Sequence, residues 1–309
     1  MQQTVRVRSP INIALIKYWG KADEKKVLPT TTSLSLTLTD LWTETKISPN
    51  ERMIFTLNHQ PMSTSEIQRL KPVLSHFPNA PFSLETFNNF PTAAGLASSA
   101  SGVAALTVAL DRFFETRFSL DELVHITRLG SGSAVRSLVD GFALWHQDGH
   151  VSSLPNPFAD LRMLIAVVSK EKKAISSREA MKITQKTAPS YTTWVQQSAL
   201  DLKDMLEAIQ TKDLHSIGRI MERNSEALHA IMKDSQPPII YQQSTSLAIL
   251  AFVKSLRNTI PFLYTTMDAG PNVKILVNAQ DAEAVQHLLE QTFSCSVILS
   301  RIGGKADEI

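Results

Sequence analysis

Along the first third of the chain the apolar positions repeat with the period of a strand. Leu34, Leu36 and Leu38 alternate with serine and threonine, which predicts a strand with one buried face. The apolar run 13–16 reads as another strand, and 53–57 and 82–87 as short ones. Between the last two, 65–77 has helical spacing that Pro72 should shorten or kink. Residues 99–114 are rich in alanine and leucine, apolar enough to predict a helix buried on most sides. Ser119 and Glu122 form a capping box that opens a helix running to about Arg128. Residues 142–145 and 163–169 return to strand, and Ser176 with Glu179 predicts a second capping box.

Beyond about residue 189 the pattern changes. Long amphipathic helices are expected at 192–210, 214–233 and 243–257, with Pro237-Pro238 breaking the run between the last two. The chain then reads strand 262–266, turn, strand 273–277, helix 281–292 and strand 296–300. Strands and helices mix without a steady βαβ alternation, so the expected class is α+β rather than a doubly wound parallel sheet. The shift in character places a boundary near 170–190, giving an N-terminal domain at 1–180 and a C-terminal one at 181–309.

Composition narrows the function classes. The 309 residues suit two domains at about 150 residues each. Lys+Arg 31 against Asp+Glu 29 leaves a net charge of +2, which gives no global field for nucleic acid or an anionic membrane. Cys295 is the single cysteine, so no internal disulfide can form, and no Cys/His spacing resembles a structural zinc site. The longest purely apolar run, 247–253, is far short of a membrane span, and residues 1–12 lack the apolar core of a secretory signal. These features lead us to expect a soluble protein of a reducing compartment, either an enzyme or a small-molecule binding protein.

Four segments carry candidate chemistry. In 88–102, NNFPTAAGLASSASG, small residues feed straight into the buried helix. Such a loop lets backbone N–H groups approach an anion, and the helix start adds free donors. It is neither a Walker loop nor G-x-G-x-x-G, and a turn built for tight packing would have the same composition. In 130–137, GSGSAVRS, serines and glycines surround Arg136, whose guanidinium suits phosphate; a solvated turn is the competing reading. In 12–21, NIALIKYWGK, Lys17 and Lys21 flank an aromatic pair just past a strand, a common place for a binding loop, although such lysines are more often simply solvated. In 265–274, TTMDAGPNVK, Asp268 sits at a strand end before a tight turn, placed either to orient a substrate hydroxyl or to bond its own backbone.

Together and in this order, these motifs resemble the diphosphomevalonate decarboxylase family of the GHMP kinase superfamily. SREAMK at 177–182 and the segment 237–246 extend the resemblance over most of the chain. It implies an N-terminal α+β domain with a phosphate loop, packed on a ferredoxin-like C-terminal domain. It also implies ATP-dependent decarboxylation of mevalonate 5-diphosphate to isopentenyl diphosphate, with ATP and Mg2+ as cofactors, in a cytoplasmic homodimer of the mevalonate route. Neither nucleic acid nor a membrane is an expected partner.

The implied ATP cradle is Pro91, Ala94, Gly95, Leu96, Ala97, Ser98, Ser99 and Ser101. Implied substrate contacts are Tyr18, Trp19, Gly20 and Lys21, then Ser131, Gly132, Ser133, Ala134, Val135 and Arg136, with Ser177 and Arg178. Asp268, Arg136 and Lys21 are the implied catalytic residues. Asp268 would orient the 3-hydroxyl and accept its proton late in phosphoryl transfer. Two departures bear on substrate detail: Val135 stands where relatives usually carry Cys or Ser, and Asp140 where many carry Gly. Competing readings are a mevalonate 5-phosphate decarboxylase, a kinase that stops at 3-phosphorylation, and a non-catalytic binding protein on the same fold.

Overall fold

The protein is described as a computed structural model covering residues 3–90, 98–171 and 173–309. Its first strands are β1 (Val5–Ile16), β2 (Lys21–Asp23), β3 (Leu28–Pro29) and β4 (Ser33–Pro49). β5 (Ile54–Leu57), β6 (Gln60–Pro61), α1 (Thr64–Leu74) and β7 (Phe82–Asn88) follow. β1 and β4 pair antiparallel over nearly their whole length. They centre a sheet of order β14-β1-β4-β7-β5-β6, in which β14 is Asp307–Glu308. β8 (Phe142–Trp145) and β9 (Val151–Leu154) extend it from β4.

One face of this sheet carries α2 (Ser98–Phe114), α3 (Leu120–Gly130) and the short 3₁₀ segment Gly132–Ser137. α2 is buried nearly all round, as its composition predicts. The Ser119–Glu122 capping box forms and opens α3. α1 is shorter than 65–77: it opens on a Ser63–Glu66 capping box and stops soon after Pro72.

A bulge in β1 decides which residues reach the site. Register shifts between Pro10 and Ile11, so side chains change faces there. Val5 and Val7 point into the α2 core, whereas Ile11, Ile13 and Leu15 point into the core on the opposite face. Asn12 is thereby turned toward the 3₁₀ segment. β4 differs from its expected half-burial: Ser33, Ser35 and Thr37 are as fully buried as Leu34, Leu36 and Leu38. Both sheet faces are covered, and Ser33 and Thr37 bond Arg136 and Gly304 O rather than water.

The second sheet has order β11-β12-β10-β13, from β10 (Leu161–Val167), β11 (Leu263–Met267), β12 (Val273–Asn278) and β13 (Ser296–Arg301). Its helices are α4 (Ser177–Thr187), α5 (Tyr191–Gln210), α6 (Leu214–Lys233), α7 (Ser244–Leu256) and α8 (Ala279–Phe293). α7 and α8 cover one face, while α5 and α6 lie on the other, wedged against the first sheet. β10 differs from the sequence expectation: a division at 180 assigns it to the N-terminal domain, yet it pairs only with β12 and β13. Strand pairing over more than 100 residues leaves no local signal in β10 itself. The capping box expected at 176–179 forms in half, with the Ser176 side chain accepting from Glu179 N.

Candidate active site

The site lies where the end of β1 meets the turn between β11 and β12. Past Ile16 the strand runs out of partners, and the Lys17 N–H donates instead to Asn224 Oδ1 of α6 at 2.8 Å. The Lys17 side chain folds back, giving one hydrogen bond to Ala14 O (2.8 Å) and one to Asp268 Oδ1 (2.9 Å). Asp268 follows β11 directly and opens a tight turn in which Gly270 N donates to Asp268 O. Its other oxygen, Oδ2, lies 3.1 Å from Lys274 Nζ on β12. The Lys17 and Lys274 side chains are 2% and 0% exposed, whereas Asp268 keeps 29%, so the carboxylate is the member of the trio open to a cleft.

Charge is unbalanced here. Arg136 is buried on the 3₁₀ segment and its described partners are all neutral. Nε and Nη2 donate to Asn12 Oδ1 at 3.2 and 3.1 Å, and Nη1 to Ser33 Oγ at 2.7 Å. Burial lowers its pKa to about 10, although Asp268 opposes the shift. Lys173 donates to Ser177 Oγ and Ala269 O, and burial pushes its pKa down too. Burial also favours neutral Lys17, with Asp268 opposing. Burial would raise the Asp268 carboxyl, but Lys17 and Lys274 outweigh it and hold the acid far below the usual carboxylate range. Four cations therefore share one anion in a largely dry pocket. A buried charge without a partner is costly, so this excess of positive charge favours an anion.

Other expected site residues gather between the end of β1 and the 130–137 segment. Tyr18 packs edge-on to Trp145 with ring centroids 4.7 Å apart, and burial raises its hydroxyl pKa. Gly132 is required beneath it: a Cβ there would lie 2.7 Å from Trp145 and 3.1 Å from the Tyr18 hydroxyl. Gly20 has φ +115° and packs under Tyr191, whose hydroxyl donates to Trp19 O. Lys21 is half-buried, and Glu24 lies near both it and Lys182. The Ser131 and Ser133 hydroxyls are 3.5 Å apart, and Asn12 Nδ2 donates to Ser133 O. Arg178 Nη2 donates to Gly130 O, tying α4 to this loop.

Several expected contacts are placed elsewhere. The Trp19 side chain is buried with Tyr191, Trp194 and Leu228. Ala134 and Val135 are fully buried, so they offer the cleft only backbone; a serine or cysteine at 135 would point into the core. The Ser101 hydroxyl bonds Thr43 Oγ1 at 2.7 Å on the sheet side of α2, away from a phosphate. Ser98 and Ser99 sit in the accessible first turn. Pro91, Ala94, Gly95, Leu96 and Ala97 lie outside the described residues. Asp140 does not burden the anion loop, because its Oδ1 accepts from Gly141 N and Gly304 N.

Sequence reasoning missed Lys274, Lys173, Asn12, Ser33 and Asn224, and read Lys17 as solvated. One signal was available: Lys274 interrupts the otherwise apolar strand 273–277, and a lysine there needs a buried partner. Among the described residues no group of three His, Cys, Asp or Glu side chains is placed to hold a metal ion.

Comparisons with known proteins point to one family. Residues 9–154 match the model of the diphosphomevalonate decarboxylase-like N-terminal domain, and 163–307 that of the mevalonate 5-diphosphate decarboxylase C-terminal domain. The chain is 35% identical to diphosphomevalonate decarboxylase mvd1 of Aspergillus fumigatus, covering 90% of this chain and 77% of that protein. It superposes on MDDEF in complex with MVAPP, AMPPCP and magnesium with TM-score 0.92 and 37% identity, covering 99% of each chain. Mevalonate diphosphate decarboxylase from Staphylococcus aureus is similarly close, with TM-score 0.92 and 35% identity over 100% of this chain and 98% of that one.

Proposed function

The chain belongs to the diphosphomevalonate decarboxylase family, and from that membership we propose that its pocket carries out ATP-dependent decarboxylation of mevalonate 5-diphosphate. The products are isopentenyl diphosphate, ADP, phosphate and CO2. The observation that carries the reading is the accessible carboxylate of Asp268, set among Lys17, Lys274, Arg136 and Lys173. Such a pocket attracts a polyanion and still offers one negative group to a neutral hydroxyl.

The roles follow from position. Asp268 hydrogen-bonds the substrate 3-hydroxyl, whose oxygen attacks the γ-phosphorus as the bond to ADP breaks. The two lysines keep the carboxylate ionised, which makes it a weak base. It therefore orients the hydroxyl early and takes up the proton only as the new P–O bond forms, as a loose transition state allows. The 3-phosphate then leaves with the C–O electron pair. The bond to the carboxyl group breaks toward C3, releasing CO2 and forming the alkene. The fixed charge of Asp268 stabilises the positive charge that develops at C3. Arg136 and the serines of 131–133 hold substrate phosphate or carboxylate, Tyr18, Lys21 and Arg178 border them, and Ser98 and Ser99 face the nucleotide phosphates.

Magnesium fits as an ion carried on those phosphates, with a hydroxyl of Ser98 or Ser99 as the protein ligand, since no acidic cage exists among the described residues. Bound there, it neutralises phosphate charge. We place the domain boundary between Leu154 and Leu161, where the strand pairing changes sheets. On the family resemblance we also assign a cytoplasmic homodimer; sedimentation at twice 34.2 kDa tests the dimer.

The deciding experiment supplies ATP with mevalonate 5-diphosphate or the 5-phosphate and measures ADP and CO2 together. Equal release of both with the diphosphate is expected. ADP without CO2 would make the protein a kinase, and turnover confined to the monophosphate would reassign the substrate.

A further inference from the structure

We propose that Asn224, held by Asp201, is a positioning residue that sets the Lys17 ammonium against Asp268. The inference rests on the reading above, in which that pair meets the substrate hydroxyl. Lys17 comes from the N-terminal sheet, while Asp268 and Lys274 come from the C-terminal one. Some element has to fix the two sheets relative to each other at this point.

The main chain of Lys17 has no strand partner, and its N–H is satisfied by Asn224 Oδ1 across 207 residues of sequence. Asn224 is 1% exposed, and an isolated buried amide could flip to present Nδ2 instead. Asp201 prevents this, because its Oδ2 accepts from Asn224 Nδ2 at 2.9 Å and so fixes Oδ1 toward Lys17. Asp201 is fully buried and is itself held by Arg223 and by Gln197 Nε2. A chain of polar contacts thus runs from half-exposed Arg223 through Asp201 and Asn224 to the backbone of Lys17. Neither Asn224 nor Asp201 hydrogen-bonds Asp268, so both act through Lys17.

The test is a double-mutant cycle of Asn224→Leu with Lys17→Met, a near-isosteric change at 224 that removes both hydrogen bonds. We expect Asn224→Leu to lower kcat about tenfold or more with both KM values held within about threefold. In the Lys17→Met background the same change should cost less than about twofold, since the residue it positions is gone. Equal losses in the two backgrounds overturn the proposal. Wild-type CO2 release is measured first, and its absence counts against the proposed reaction, not against Asn224. Urea unfolding judges the clamp without turnover. The stability lost on Asp268→Asn should be smaller in the Asn224→Leu protein, where the ion pair is already loosened, and an unchanged loss overturns the proposal.

Discussion

At the scale of the residue, the behaviour of the site follows from three side chains, Asp268, Lys274 and His229. Asp268→Asn keeps shape but removes the negative charge and leaves one of the two lysines facing an amide donor. It should lower kcat by about a thousandfold or more with KM changed less than about threefold, read from steady-state CO2 release. Lys274→Met takes away one of the two ammoniums that depress the Asp268 carboxyl. An acid that loses a positive neighbour binds its proton more readily, so the acid limb of the kcat–pH profile should move to higher pH. His229, on α6 behind Asp268, is buried; burial and then Lys17 lower its pKa from 6.5 to about 4, with Asp268 opposing. Between those values the unfolded chain takes up a proton that the native state refuses. Stability therefore falls as pH drops through this window, by about 3 kcal/mol at its lower end. Urea midpoints of the His229→Gln protein between pH 7 and 4.5 should lack that slope.

Single elements separate stability from function. Ser119→Ala deletes the capping box of α3, far from Asp268 in sequence and on a different domain. It should cost about 1 kcal/mol in unfolding free energy and leave kcat unchanged. Gly132→Ala, at the start of the 3₁₀ segment, should act differently. Its new methyl meets Trp145 and the Tyr18 hydroxyl, displacing the backbone that carries Arg136, so KM for the phosphorylated substrate rises while calorimetry reports only a modest loss of stability. These elements were legible in the sequence because caps and helical periodicity are local: α2, α3, α5 and α6 lie within a residue or two of their expected bounds. What a side chain faces was not legible. The β1 bulge that turns Asn12 toward Arg136, and the packing that buries Ser33 and Ser35, depend on segments distant in sequence. Lys17 was misread on the same ground, because its burial is made by α6 and the β11–β12 turn.

Across the whole molecule, the halves are joined both by hydrogen bonds and by charge. β14 returns the end of the chain to pair with β1, and Lys17 on one side is paired with Asp268 on the other. Separated, the N-terminal piece would have to hydrate an ammonium shaped for a dry interior, and the C-terminal piece would leave Lys274 and its acid open to water. Each piece would also expose the apolar surface that α5 and α6 share with β1 and β4. Fragments 1–157 and 158–309 expressed singly should therefore unfold without a sharp transition, and expressed together they should regain CO2 release. Folding and activation would then coincide: joining the pieces forms the shared core and the working acid at once, and no intact but uncharged intermediate lies between them.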